Sequence, residues 1–282
     1  MKTITSIAEF RKQLADWRQS GDRVAFVPTM GNLHIGHLQL LTQARRLARR
    51  TVVSIFVNPL QFGPSEDYQS YPRSLEADSV QLAAEGLDVL FVPKVGEMYP
   101  DGTESMTRVE VPDLSNILCG RSRPGHFTGV ATVVTKLLNI VQPDVALFGE
   151  KDYQQLLVIR RAVADLCLPV EIVGVPTVRE ADGLAMSSRN VYLSDAERAR
   201  APLLYQTLLE VVERLQQGAD DFVALEAEAV NRLLESGFRP DYVSVCRAHD
   251  LTAPTLQDSA LIVLGAAWLG KTRLIDNVAL HY

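Results

Sequence analysis

The chain has 282 residues, 47% hydrophobic and 22% charged, enough apolar material for a full core in one large domain or in a main domain with a smaller second one. A net charge of −6 argues against a nucleic-acid-binding protein. No apolar run approaches the roughly 20 residues of a bilayer span, and the start carries no charged-then-apolar signal, so a cytoplasmic protein with no membrane partner is expected.

Residues 6–19 open on a serine cap with Glu9 three positions later and set Phe10, Leu14 and Trp17 on one face, a short amphipathic helix. Residues 23–27 form a β-branched and aromatic run that reads as a buried strand. It leads into Pro-Thr-Met-Gly-Asn-Leu-His-Ile-Gly-His-Leu-Gln-Leu at 28–40. Leu38, Leu40, Leu41, Ala44, Leu47 and Ala48 then recur at helical spacing. The stretch is therefore a strand, a glycine-bearing turn and the first turn of a helix, whose exposed N–H groups attract phosphate. Gly31 and Gly36 let main chain approach a ligand closely. His34 and His37, three apart, project from one side of the turn. No Cys, His or carboxylate stands at ligand spacing beside them, which argues against zinc.

Residues 52–57 are a second strand, stopped by Asn58-Pro59, and 58–71 a binding-type loop in which Gln61 offers donors and an acceptor. A helix at 75–86, a strand at 88–93, a helix at 130–141 and a strand at 144–148 follow. The last runs into Gly149-Glu-Lys-Asp152, a helix at 153–165 and a strand at 170–175. Lys151 at the start of that helix is poorly placed for the dipole and better explained by a phosphate. Gln154 and Gln155 lie on its first turn, and one of them is expected to reach inward. Strands without alternation, each followed by a helix, argue for a parallel sheet covered on both faces, with ligands beyond the strands' carboxyl ends.

Past residue 178 the texture changes. Ser194 caps a helix, helical patterns run to about 217 and from 222 to 236, and strand-like runs follow at 241–247, 260–267 and 272–280. The expected division is a doubly wound parallel α/β domain over 1–177 and a smaller α/β lid domain with an antiparallel sheet over 178–282. Cys119, Cys167 and Cys246 are odd in number and widely spaced, which suits a reducing compartment. The loop at 179–190 carries Ser187, Ser188 and Arg189, donors suited to phosphate oxygens, with Gly183 as its expected hinge.

His-Ile-Gly-His resembles one signature of the nucleotidyl-transfer superfamily that includes class I aminoacyl-tRNA synthetases. Met186-Ser-Ser-Arg-Asn190 resembles the other, the Lys-Met-Ser-Lys-Ser loop, with Ala185 where the first lysine would stand. Added to Asn-Pro-Leu-Gln-Phe-Gly at 58–63, Met-Tyr-Pro-Asp-Gly at 98–102, Arg-Pro-Gly-His-Phe-Thr-Gly-Val at 123–130 and Phe-Gly-Glu-Lys-Asp-Tyr-Gln-Gln at 148–155, the set resembles the pantoate–β-alanine ligase family. The resemblance implies a Rossmann-like fold and the conversion of ATP, pantoate and β-alanine to AMP, pyrophosphate and pantothenate through a pantoyl adenylate. It implies ATP contacts from Met30, Gly31, Asn32, Leu33, His34, Ile35, Gly36 and His37, with His37 as proton donor. It adds Gly149, Glu150, Lys151, Asp152, Val178, Met186, Ser187, Ser188 and Arg189 to the ATP contacts. His34, Lys151 and Arg189 join His37 as catalytic candidates. Gln61, Gln155 and Asn58 are expected at the substrates. Mg²⁺ is implied, with Asp78 and Asp152 as candidate ligands, as is a homodimer. A nucleotidylyltransferase would share the histidine turn but ignore β-alanine.

Overall fold

The computed structural model describes residues 1–64 and 66–281. The chain divides into two compact units, residues 1–150 with 158–176 and residues 151–157 with 177–282. Residues 151–157 group with the second unit, whereas the sequence expectation has them in the first domain.

In the first unit the elements run β1 (Lys2–Ile4), α1 (Ile7–Gln19), β2 (Val24–Thr29), α2 (Ile35–Leu47), β3 (Arg50–Ile55), α3 (Leu75–Ala84) and β4 (Val89–Phe91). Two short helices, α4 (Val95–Met98) and α5 (Cys119–Ser122), precede α6 (His126–Val141), β5 (Val145–Gly149), α7 (Tyr153–Asp165) and β6 (Glu171–Val175). The division between units passes through α7. All six strands are parallel, in the order β1-β4-β3-β2-β5-β6. From β2 the chain first builds toward β3 and β4, then returns to place β5 and β6 on the other side. The carboxyl ends of β2 and β5 thus flank the switch point where such sheets bind ligands.

Successive strand residues face opposite sides, and both sides are filled. Ala25, Val27, Val53, Ile55, Leu90 and Leu147 join Leu40, Leu41 and Ala44 of α2 in one core cluster. Their neighbours Val24, Phe26, Val52 and Phe91 are equally buried. The sequence misses β1, whose three residues carry no pattern of their own. The helix α6 begins at His126, not residue 130, because Gly125 takes a left-handed φ of +79° and turns the chain into it.

The second unit holds α8 (Asp195–Arg200), α9 (Leu203–Gln216), α10 (Phe222–Glu235) and an antiparallel sheet of β7 (Arg239–Arg247), β8 (Ala260–Leu269) and β9 (Thr272–His281) with β8 in the middle. Leu204, Leu208, Val211 and Leu215 of α9 and Leu225, Ala229 and Leu233 of α10 pack with Val243, Val245, Leu261 and Val263 of the sheet. The fold class is the one the sequence implies.

Candidate active site

After β2 the chain turns through Met30, Gly31 and Asn32 into α2. Gly31 has a φ of +83°, and a Cβ there would lie 3.0 Å from Ile55 Cγ2 and 3.2 Å from Asp78 Oδ2. Asn32 adopts φ +52°, a conformation asparagine tolerates better than most residues. Buried Asp78 on α3 clamps this turn, accepting from the Asn32 N–H at 2.8 Å, the Leu33 N–H at 2.9 Å and the Ser74 hydroxyl at 3.0 Å. Much of its carboxylate is thereby committed to backbone.

His34 is the N-cap of α2. Its Nδ1 accepts the Gly36 N–H at 3.1 Å, while Nδ1 of His37 accepts the His34 N–H at 3.3 Å. This reciprocal capping is more often made by Ser or Thr with Glu or Gln. A neutral imidazole whose Nδ1 accepts carries its proton on Nε2. The two rings lie 4.1 Å apart between centroids, tilted by 42°. Ile35 is exposed, and the Leu33 side chain belongs to the core, so only its backbone faces the turn.

The 3₁₀ turn Pro59–Gln61 follows β3 and carries Gln61, 9% exposed. Asn58 was expected at the substrate, but its amide is spent on protein. Nδ2 donates to Gln61 Oε1 at 3.1 Å and to the Gly129 carbonyl at 3.2 Å. Oδ1 accepts from the Tyr99 hydroxyl at 2.7 Å and the Leu60 N–H at 3.3 Å. With two donors and two acceptor sites used, Asn58 holds the side chain of Gln61 in place. The backbone partners fix which end of Asn58 is oxygen, and this fixes Gln61 in turn. Its Nε2 turns away from Asn58 and donates to Met30 Sδ at 3.1 Å.

Arg123 and His126 hold the Gln61 carbonyl. His126 Nδ1 lies 2.8 Å from it and Nε2 lies 3.0 Å from Arg123 Nη1, so the ring donates at Nδ1 and accepts at Nε2. Arg123 also grips Glu66 at 2.7 and 2.6 Å. Burial opposes ionisation of Glu66, but the Arg123 hydrogen bonds and charge hold its carboxyl below the usual range. Burial pushes the Tyr99 phenol well above its ordinary value. Tyr99, Arg123, His126 and Gly129 lay within quoted motifs without a role. Their partners stand 41 to 71 positions away, beyond any local pattern.

In the second unit, Lys151 lies on the 3₁₀ turn Glu150–Asp152 that joins Gly149 at the end of β5 to α7. Its carbonyl accepts from Asn277 Nδ2 at 3.0 Å, and its ammonium stands 3.9 Å from the half-exposed Asp152 carboxylate. Gln154 is buried and Gln155 half-buried. Val178 and Met186 are paired: the Val178 carbonyl accepts the Met186 N–H at 3.0 Å across a hairpin bridged by Arg179 and Ala185. Ser187 caps the 3₁₀ turn Ser188–Tyr192, its hydroxyl accepting the Arg189 N–H at 3.3 Å. Lys151 and Ser187 line one small cavity with Ala185, Asn190 and Asp276.

Gly183, expected as a hinge, is a tight-turn residue. Its φ is +94°, and a Cβ would lie 2.9 Å from the Tyr205 ring. Arg179 grips Asp276 at 2.6 and 2.8 Å, donates to the Gly183 carbonyl at 3.0 Å and stacks 3.5 Å over Tyr205. The hairpin is pinned by that fork.

Among the described residues no group of three or more His, Cys, Asp or Glu is placed to hold a metal ion, and no helix is long and apolar enough to cross a membrane. Cys119 and Cys246 are buried, and burial pushes the Cys246 thiol up to about 12, far from a reactive thiolate.

Comparison with known proteins gives matches over nearly the whole chain. Residues 2–279 match the family model described as pantoate-beta-alanine ligase. Pantothenate synthetases of Alkalilimnicola ehrlichii and Pseudomonas aeruginosa are 58% and 56% identical over 281 residues, covering 100% of this chain and 98% and 99% of theirs. A crystal structure of pantothenate synthetase from Thermus thermophilus matches with a TM-score of 0.91 at 49% identity, over 99% of both chains. A pantoate-beta-alanine ligase from Francisella tularensis, complexed with beta-gamma ATP and beta-alanine, matches with a TM-score of 0.81 at 38% identity, over 99% of this chain and 97% of its own.

Proposed function

The chain belongs to the pantoate-beta-alanine ligase family and joins pantoate to β-alanine with ATP as co-substrate, and we propose a role for each of its polar clusters in that reaction. Attack of the pantoate carboxylate on the α-phosphorus, with loss of pyrophosphate, gives a pantoyl adenylate. The amine of β-alanine then attacks the acyl carbon and AMP leaves. Both partners of the first step are anions, so the protein must screen charge and hold attacker, phosphorus and leaving oxygen in line.

Residues 30–37 take the nucleotide, with backbone at the glycine turn and Nε2–H donors from His34 and His37 directed to phosphate oxygens. Lys151, Ser187, Ser188 and Arg189 add cationic and hydroxyl donors, and Gly149, Glu150, Asp152, Val178 and Met186 complete the nucleotide contacts. Gln61 and Gln155 hold pantoate, with Gln61 also meeting β-alanine. No Ser, Cys or Lys nucleophile is required, because the adenylate is itself the activated acid. The observation that carries the reading is the histidine cap: both Nδ1 atoms are committed to backbone N–H groups, which orients two Nε2–H donors from the phosphate-binding end of a helix.

Mg²⁺ belongs to the same proposal. An ion carried by triphosphate needs only one or two protein carboxylates. Asp152, half exposed, meets that need, and Asp78 does so only by loosening its hold on the turn. When bound, the ion neutralises phosphate charge. A homodimer rests on the family resemblance and a cytoplasmic location on the sequence pattern, and sedimentation of the purified protein tests the former.

The deciding experiment measures pyrophosphate release from ATP with pantoate alone and with pantoate plus β-alanine. A single-turnover burst with pantoate alone, becoming steady turnover and AMP release with β-alanine, is expected. Lys151→Ala should slow the burst about 10²–10³-fold while leaving pantoate affinity intact. A normal burst in that variant would remove Lys151 from the mechanism.

A further inference from the structure

We propose that Asn277, on the last strand of the chain, is a positioning residue for Lys151 and sets where the lysine ammonium meets the triphosphate. The inference rests on the reading that Lys151 is a phosphate donor in adenylate formation. It adds a residue that no motif in the sequence singles out.

Lys151 lies on a 3₁₀ turn of three residues, an element too short to fix itself. Its place comes from β9. Nδ2 of Asn277 donates to the Lys151 carbonyl at 3.0 Å across 126 positions. Next along the chain, the Tyr153 hydroxyl donates to the Ala248 carbonyl at 2.9 Å, a second tie to the same unit. Both bonds agree with the grouping of residues 151–157 in that unit.

Asn277 is itself fixed through its main chain. Its N–H donates to Asp276 Oδ1 at 2.8 Å, and its carbonyl accepts from Arg179 Nη2 at 3.4 Å. Asp276, whose side chain is 3% exposed, takes the Arg179 fork. Arg179 in turn opens the hairpin that leads to Met186, Ser187, Ser188 and Arg189. Two segments proposed to face phosphate, far apart in sequence, thus take their places from one adjacent pair of residues on β9. Lys151, Ser187 and Asp276 line one small cavity, so the segments meet beside that pair. In-line attack makes such a shared frame valuable. Donors from separate segments help only when their spacing matches one triphosphate, and about 1 Å of error can cost about 10²-fold in rate.

The bonds from Asn277 to Asp276 and Arg179 use backbone atoms and survive substitution, whereas the bond to Lys151 uses the side chain. Replacing the side chain therefore releases the lysine and leaves the hairpin anchored. The test measures the pyrophosphate burst from ATP and pantoate in Asn277→Ala and in Asn277→Leu, which keeps much of the asparagine's shape without a donor. Each is made alone and together with Lys151→Ala. Either single change should slow the burst about tenfold to a hundredfold, with the pantoate dependence of the burst little altered. Added to Lys151→Ala, either should slow it by less than about twofold, because a residue that acts through the lysine has nothing to act on once the ammonium is gone. Equal slowing with and without the lysine would overturn the proposal, as would an unchanged burst in either folded single variant or a loss confined to pantoate affinity. A normal burst in Lys151→Ala alone would instead sink the reading on which the proposal rests.

Discussion

Gly129 offers the sharpest test of the proposal that Gln61 holds the acid. It lies on α6, where a Cβ would be 2.3 Å from the Leu60 carbonyl oxygen, 2.5 Å from its carbon and 2.8 Å from the Gln61 nitrogen. Ordinary Cβ contacts begin near 3.4 Å, so Gly129→Ala must push the Pro59–Gln61 turn back by about 1 Å. The obstructing atoms are backbone, which has no rotamer to yield. Overpacking of this kind costs about 1–3 kcal/mol. The displaced turn carries Gln61, and a misplacement of about 1 Å can cost about 10²-fold in rate. Steady-state pyrophosphate release should therefore show kcat/KM for pantoate down by about that factor, with the KM for ATP little changed, and melting should fall by several degrees. Gly120→Ala provides the control: its Cβ would lie 2.0 Å from the Ser115 carbonyl oxygen, so it should cost stability without selectively affecting pantoate. If Gly129→Ala melts lower yet keeps its pantoate kinetics within twofold, Gln61 is not where the acid is held.

Two other perturbations probe neighbouring supports. Asp78→Asn leaves one carbonyl oxygen for the Asn32 and Leu33 N–H groups, losing at least one charge-assisted bond at about 1.5–3 kcal/mol; hydrogen exchange at both amides should quicken and the KM for ATP should rise, and unchanged exchange would refute the clamp. Glu66 has a folded-state carboxyl below its ordinary value of 4.5, so its pair with Arg123 contributes stability fully above that range and loses it as pH falls through the lower folded value. The melting difference between the unaltered protein and Glu66→Gln, worth about 2 kcal/mol at neutrality, should stay level down to about pH 5 and close below it; a gap that persists in acid would mean the loss is one of packing.

Much of the fold was legible because buried parallel strands are continuous apolar runs and helices repeat near every fourth residue. The three residues of β1 are too few for either signal, and α6 starts early through a backbone dihedral at Gly125 that composition does not encode. The histidine turn was legible for the same local reason: strand, glycine, imidazole pair and helix are contiguous. Its clamp, Asp78, sits some 45 positions away, and nothing near Asp78 advertises two backbone N–H partners. Asn58 shows the opposite limit. A polar residue in a binding loop suggests ligand contact, and only the count of its four partners shows that its hydrogen-bonding capacity is already exhausted. The residue type of Gly183 alone suggests a hinge, whereas packing against Tyr205 and the Arg179 fork make it a fixed corner.

Because Asn58 is saturated, the terminal amide of Gln61 has lost its freedom to swap ends. An unrestrained glutamine would greet an ester, an amide or a carboxylic acid by rotating to suit each; this one can only extend nitrogen. On the proposal that Gln61 holds the acid, a visiting molecule must bring lone pairs to that spot, and one offering a hydrogen there meets another hydrogen. A preference for acceptor atoms over donors at that spot is thus written into a residue that need never touch the guest.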